Sequence, residues 1–232
     1  MKIIRAIEFG NSINAAMEIS TIFVEGFYQW LHFFSKDKDK LIRAFAHMFQ
    51  LDTFYAAVID GELAGITACT DGKQPVVVLK KEELRKHLGI IMGSVTYYVL
   101  RREFELKKYP FAIKKEMGMI EFVATSPRHR GQGIASAVIG HIIASTPYLE
   151  YALEVADTNI NAVKLYEKLG FREFMRVKQK NSKQSGINHL VYMKYEKTKE
   201  NAAEYKPLRR LLQPIKLQVC GRKEIIQWKQ NG

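Results

Sequence analysis

Apolar runs and amphipathic stretches alternate along this chain, and their periods predict its elements. Lys2 to Phe9 alternates loosely, as a first strand does. From Ile13 to Phe34 the positions Ile13, Met17, Phe23, Phe27, Trp30 and Phe34 recur at helical spacing. Leu41 to Phe49 repeats the pattern after a polar loop at Ser35 to Lys40. Thr53 to Ile59, Asp60-Gly61 and Leu63 to Thr70 predict a hairpin, because Asp-Gly suits a two-residue turn. Cys69 falls in its second strand and reads as a buried thiol.

Lys80 to Leu106 is helical in pattern but interrupted by Gly89 and Gly93. It reads either as helices packed on the sheet or as a lid hinged at the glycines. Ile120 to Ala124 predicts a buried strand, and Ile134, Val138, Ile139, Ile142 and Ile143 predict the helix after it. Tyr148 to Asp157 predicts a strand, and Asn161 to Leu169 a helix closed by Gly170 in the left-handed region. Phe171 to Lys178 and His189 to Tyr195 predict two last strands around a polar, basic loop at 179–186. The class is mixed α/β.

Composition narrows this little. The 232 residues, 47% of them hydrophobic, suffice for one domain and an appendage. Cys69 and Cys220 form no metal or redox pair and suit a reducing compartment. Met1 to Arg5 has no signal-peptide core, and Glu18 and Glu25 interrupt the most apolar helix. The expectation is a soluble, cytoplasmic protein without a membrane partner. Net charge is +12, and half of it lies from Lys197 onward, where nine Lys/Arg face three Asp/Glu. That tail could wrap the domain, pair with a second subunit as a homodimer or bind an acidic surface. No zinc-finger spacing or aromatic-basic signature points to nucleic acid. The six histidines share no ligand spacing, so no metal is implied, and His129 reads as a solvated turn residue.

One stretch carries chemistry: Ser126-Pro127-Arg128-His129-Arg130-Gly131-Gln132-Gly133-Ile134-Ala135, a glycine-bearing turn from strand to helix. Unpaired N–H groups and the helix dipole make such a turn an anion site, and Arg128 and Arg130 add charge. Neither the phosphate loop of ATPases nor the three-glycine dinucleotide fingerprint fits its spacing. Arg130-x-x-Gly133-x-Ala135 resembles the pyrophosphate-binding motif of the GCN5-related N-acetyltransferases (GNAT). Asn159 to Phe171, with its Leu165-Tyr166-Glu167-Lys168-Leu169-Gly170-Phe171, resembles that family's following helix. The likeness spans residues 1–196, leaving 197–232 as a basic extension, and is close only in the centre.

The resemblance implies the acyl-CoA N-acyltransferase fold, a mostly antiparallel central sheet flanked by helices. The helical insertion at about 80–108, between the third and fourth strands, departs from the family pattern. The resemblance further implies acetyl-CoA as co-substrate and direct transfer to an amine. The N–H groups of Gly131, Gln132, Gly133, Ile134, Ala135 and Ser136 would hold pyrophosphate beside Arg130. Val123, Ala124 and Thr125 would hold the acetyl carbonyl and pantetheine, and Asn159 would touch the coenzyme arm unless it only caps its helix.

Such transfer needs a base, since an alkylammonium has a pKa of roughly 10, N–H donors for the carbonyl oxygen, and an acid near the sulfur. Tyr166 holds the place of the family's acid, against the alternative of a core tyrosine. Glu154 and Glu121 compete as base. Alternation puts Glu154 beside Ala152 and Ala156, and Glu121 beside Met119, Val123 and Thr125. A water-relayed base is the third option. A small-molecule amine leads as acceptor; a protein N-terminus or lysine, and a non-catalytic acetyl-CoA-binding module, are the alternatives.

Overall fold

A seven-stranded sheet organises the computed structural model, which describes residues 1–180, 182 and 186–198. Its order is β1 (Lys2–Arg5), β2 (Phe54–Ile59), β3 (Glu62–Thr70), β4 (Met117–Thr125), β5 (Glu150–Ala156), β7 (His189–Glu196) and β6 (Arg172–Lys178). Every neighbouring pair is antiparallel except β4 and β5, which run parallel. The β2–β3 turn is the expected one, with Asp60 at φ 51° and Gly61 at φ 86°. β1 is shorter than its alternation suggested, because the chain coils into a 3₁₀ turn at Ala6–Glu8.

Helix α1 (Ser12–Leu31) starts where the Asn11 side chain accepts from Asn14 N–H at 2.9 Å. Helix α2 (Lys38–Phe45) is capped likewise by Asp37. Both cover one face of the sheet. Phe23 sits fully buried at their centre, against the rings of Phe27, Phe45, Phe49, Phe104 and Phe122. Burying each such ring contributes about 1.5–3 kcal/mol. Phe34 and Phe49, counted as helical from their spacing, lie past the helix ends yet remain buried. Spacing reported their burial, not their conformation.

The segment between β3 and β4 forms α3 (Lys81–Leu88), α4 (Ile90–Leu100) and a π turn at Arg101–Glu105. Leu84 and Leu100 join the core under α1 and α2. Gly93 is a close-packing residue, because a Cβ there would lie 2.5 Å from the Arg85 backbone. The segment is packed on the core in this structure.

Helices α5 (Ile134–Ser145) and α6 (Ile160–Lys168) cover the opposite face with Ile139, Ile142 and Tyr166 against Tyr151 and Leu153. Gly170 ends α6 at φ 89°, as its position predicted. Among the described residues no helix is long and apolar enough to cross a membrane. The basic tail beyond Thr198, with Cys220, and part of the 179–186 loop lie outside the described residues.

Candidate active site

β4 and β5 pair only from Met117 with Glu150 to Ile120 with Leu153, and then part. Glu121 and Glu154 are the first residues beyond the last pair. At the same point β4 is bulged: Ala68 opposes Glu121 and Ile66 opposes Ala124, and Phe122 adopts φ 52°. A left-handed phenylalanine costs on the order of 1–3 kcal/mol, and such strain collects at functional sites. The bulge breaks the alternation on which Glu121 was placed. Phe122 and Ala124 turn toward α1, whereas Val123 packs with the α5 cluster. Glu121 therefore keeps the side of Met119 but does not share it with Val123. Two-residue periodicity holds only for an unbroken strand.

Both carboxylates face one lysine. Lys107 Nζ lies 3.3 Å from Glu154 Oε1, with both side chains about one-fifth exposed. Burial raises the Glu121 carboxyl above its ordinary range; the Lys107 charge and Tyr109 pull it down, and Glu154 pushes it up. The buried Tyr109 hydroxyl faces Glu121 without meeting the distance and angle of a hydrogen bond. Burial, then Glu121, keep that phenol protonated. Tyr192 on β7 is likewise raised by burial and by Glu154. Phe111 stacks edge-on against Phe174 and Tyr192, at 5.0 and 5.6 Å between ring centres. A strap from Lys107 to Ile113 thus crosses the sheet beside the parting.

At the far end of β4 the turn is built as its sequence predicts. A 3₁₀ turn, Pro127–His129, leads through Arg130 to Gly131 and Gly133, both at φ 75°, and Gly133 opens α5. That conformation is cheap only for glycine. Among the described residues, none accepts a backbone hydrogen bond from the N–H groups of Gly131 to Ser136. Gly131, Gln132 and Gly133 are exposed, as is Arg130. Arg128 instead reaches Glu62, 3.4 Å away. Such a row of unpaired donors with one free guanidinium fits a pyrophosphate.

Tyr166 lies on the other face, buried among Leu153, Val155 and Phe171. Burial raises its hydroxyl well above the usual phenol range, and no described residue hydrogen-bonds it. The Asn159 side chain caps α6, accepting from Ala162 N–H at 3.3 Å, and its amide NH₂ is open to a ligand. His129 lies in the turn as expected but is only half-solvated: its Nδ1 is buried and has no hydrogen-bond partner among the described residues.

A family model, the acetyltransferase (GNAT) family, matches residues 18–171 and so takes in β4, the turn and α6. The chain belongs to this family. Solved GNAT-type structures share its fold. An N-acetyltransferase from Staphylococcus aureus Mu50 superposes with a TM-score of 0.52 at 17% identity, over 84% of this chain and 100% of that one. A GNAT acetyltransferase from Bacillus cereus ATCC 10987 gives 0.51 at 11%, over 85% and 98%. No curated protein matches the chain in sequence.

In this GNAT chain the two carboxylates come together at the parting and Tyr166 lies across the sheet from them. Sequence reasoning missed Lys107 and Tyr109. The signal was Lys107-Lys108-Tyr109-Pro110-Phe111, where proline and aromatics follow a helix shortly before a central strand. Such a segment has to return across the sheet. A cavity of about 370 Å³ lies elsewhere, at the opposite end of β3, between Arg5, Tyr55, Thr70 and Tyr148. Its thiol, Cys69, is pushed up by burial to about 12 and is no nucleophile at neutral pH.

Lys107→Met is expected to move the acidic limb of the pH–rate profile to higher pH. The cation favours ionised Glu121, so its removal makes that carboxyl harder to ionise. A limb that stays in place would mean Glu121 is not the group being titrated.

Proposed function

We propose that this chain transfers an acetyl group from acetyl-CoA to the primary amine of a small molecule, by direct attack in a ternary complex. The observation that carries the reading is Lys107, a primary ammonium held beside two carboxylates where β4 and β5 part. An acceptor ammonium would take the same seat when the flexible Lys107 side chain turns aside, with Glu154 binding it and Glu121 taking its proton. Bound acetyl-CoA supplies a thioester carbonyl open to attack by an amine. The N–H groups of Gly131 to Ser136 and the Arg130 guanidinium would hold its pyrophosphate. Backbone groups of Val123 to Thr125 lie beyond the last β4–β5 pair and would hold the extended arm and the acetyl oxygen.

Tyr166 would meet the sulfur from the opposite face. With its pKa raised by burial, it acts best as a hydrogen-bond donor that steadies negative charge on sulfur. Acid and base then stand on opposite faces of the sheet, and the gap between β4 and β5 connects them. A strap crossing beside the two carboxylates would favour a slender alkylamine over a folded protein surface.

Thiol release across a panel of small amines, N-terminal peptides and lysine peptides tests the reading. Turnover confined to small primary amines is expected. Turnover on peptides alone would replace the acceptor, and coenzyme binding with no turnover on any amine would overturn the enzyme reading.

A further inference from the structure

We propose that Lys107 is itself an acetyl acceptor, modified in cis on Nζ at the parting of β4 and β5. The inference rests on the acetyl-transfer reading above, and it adds a modification site on the chain's own strap.

Lys107 has what an acceptor amine needs. Its ammonium is 3.3 Å from Glu154 and close enough to Glu121 to influence that group's protonation. Its charge also lies over the Tyr109 ring, 4.9 Å from the centre, which limits where the nitrogen can go. The strap beyond it is pinned by Phe111 against Phe174 and Tyr192, which holds the Lys107 backbone beside the two carboxylates. A nucleophile held next to its base at the reaction point gains the advantage of an intramolecular reaction. The neighbouring Lys108 is exposed and makes no ion pair among the described residues.

The step balances. Lys107 Nζ gives one proton to the carboxylate pair, and its lone pair forms an N–C bond to the thioester carbonyl carbon. The C–S bond breaks and the sulfur leaves with the electron pair. Of the two protons the nitrogen loses overall, one ends on sulfur and one passes through the carboxylate to water. The amide product is uncharged and no longer pairs with Glu154.

The test is peptide mass mapping of the full chain incubated with acetyl-CoA. One acetyl group on Lys107 is expected, at least about 10²-fold faster than on Lys108, with a first-order rate constant unchanged on dilution. Lys107→Arg should abolish that label and leave the background on other lysines as it was. Equal labelling of Lys107 and Lys108, or a rate that falls with protein concentration, would overturn transfer in cis. An unmodified Lys107 in protein that binds acetyl-CoA and acetylates an added amine would leave it a counter-ion only. Failure to bind acetyl-CoA would instead overturn the transfer reading, and this inference with it.

Discussion

Glu121→Gln is expected to lower turnover by about 10²–10⁴-fold, the usual contribution of a general base, with no loss of thermal stability. The two effects separate because Glu121 is held against its own preference. It sits beyond the last β4–β5 pair, where burial raises its carboxyl pKa. A glutamine of nearly the same shape keeps the packing and removes the cost of a desolvated charge. Lys107 retains Glu154 as its partner.

The sign of the pH dependence follows from linkage. The folded-state pKa lies above the ordinary carboxyl value of 4.5, so the folded protein holds this proton more tightly than the unfolded chain. Wild type and variant should therefore match in stability below that value. Wild type should fall behind as pH rises through the raised range. Glu154→Gln should differ in kind, raising KM more than it lowers kcat, because that residue binds the ammonium. A Glu121→Gln protein that melts early and turns over normally would mark Glu121 as a structural carboxylate.

Tyr166→Phe is expected to lower kcat by about 10²-fold while leaving acetyl-CoA affinity nearly unchanged. The tyrosine ring is buried with Leu153, Val155 and Phe171, and phenylalanine preserves that packing. Only the hydroxyl is lost, and none of the described residues hydrogen-bonds it. The fold should hardly notice. Chemistry that places charge on sulfur should. A variant with unchanged kcat would return Tyr166 to the core and leave the leaving group to solvent.

The elements legible in the sequence were those whose signal is local. The Asp60-Gly61 turn, the Gly131 and Gly133 turn and the Gly170 cap each follow from glycine and its neighbours, and each is found at its predicted place. The apolar period of α5 named the face that packs on the sheet, whereas that of α1 found Phe23 but began on Ile13, which is exposed, and missed Ile19 and Ile22. What sequence could not give was long-range. The parting of β4 from β5 depends on where a parallel pairing stops, and no residue type marks that point. The bulge at Phe122 is a left-handed conformation in a residue that rarely adopts it, so alternation misplaced the neighbours of Glu121. Lys107 reaches Glu154 across 47 positions of sequence, through the strap, β4, the glycine turn and α5, a path only the fold reveals. Glu121 and Glu154 were both legible as candidates. That they share one lysine was not.

Calorimetric titration of acetyl-CoA into the full chain tests the central claim most directly. One-to-one, saturable binding is predicted, weakened about tenfold or more by Arg130→Ala, since a charge-assisted hydrogen bond is worth about 1.5–3 kcal/mol. No saturable binding to the wild-type chain would contradict the assignment of the turn from Arg130 to Ser136 as the coenzyme site.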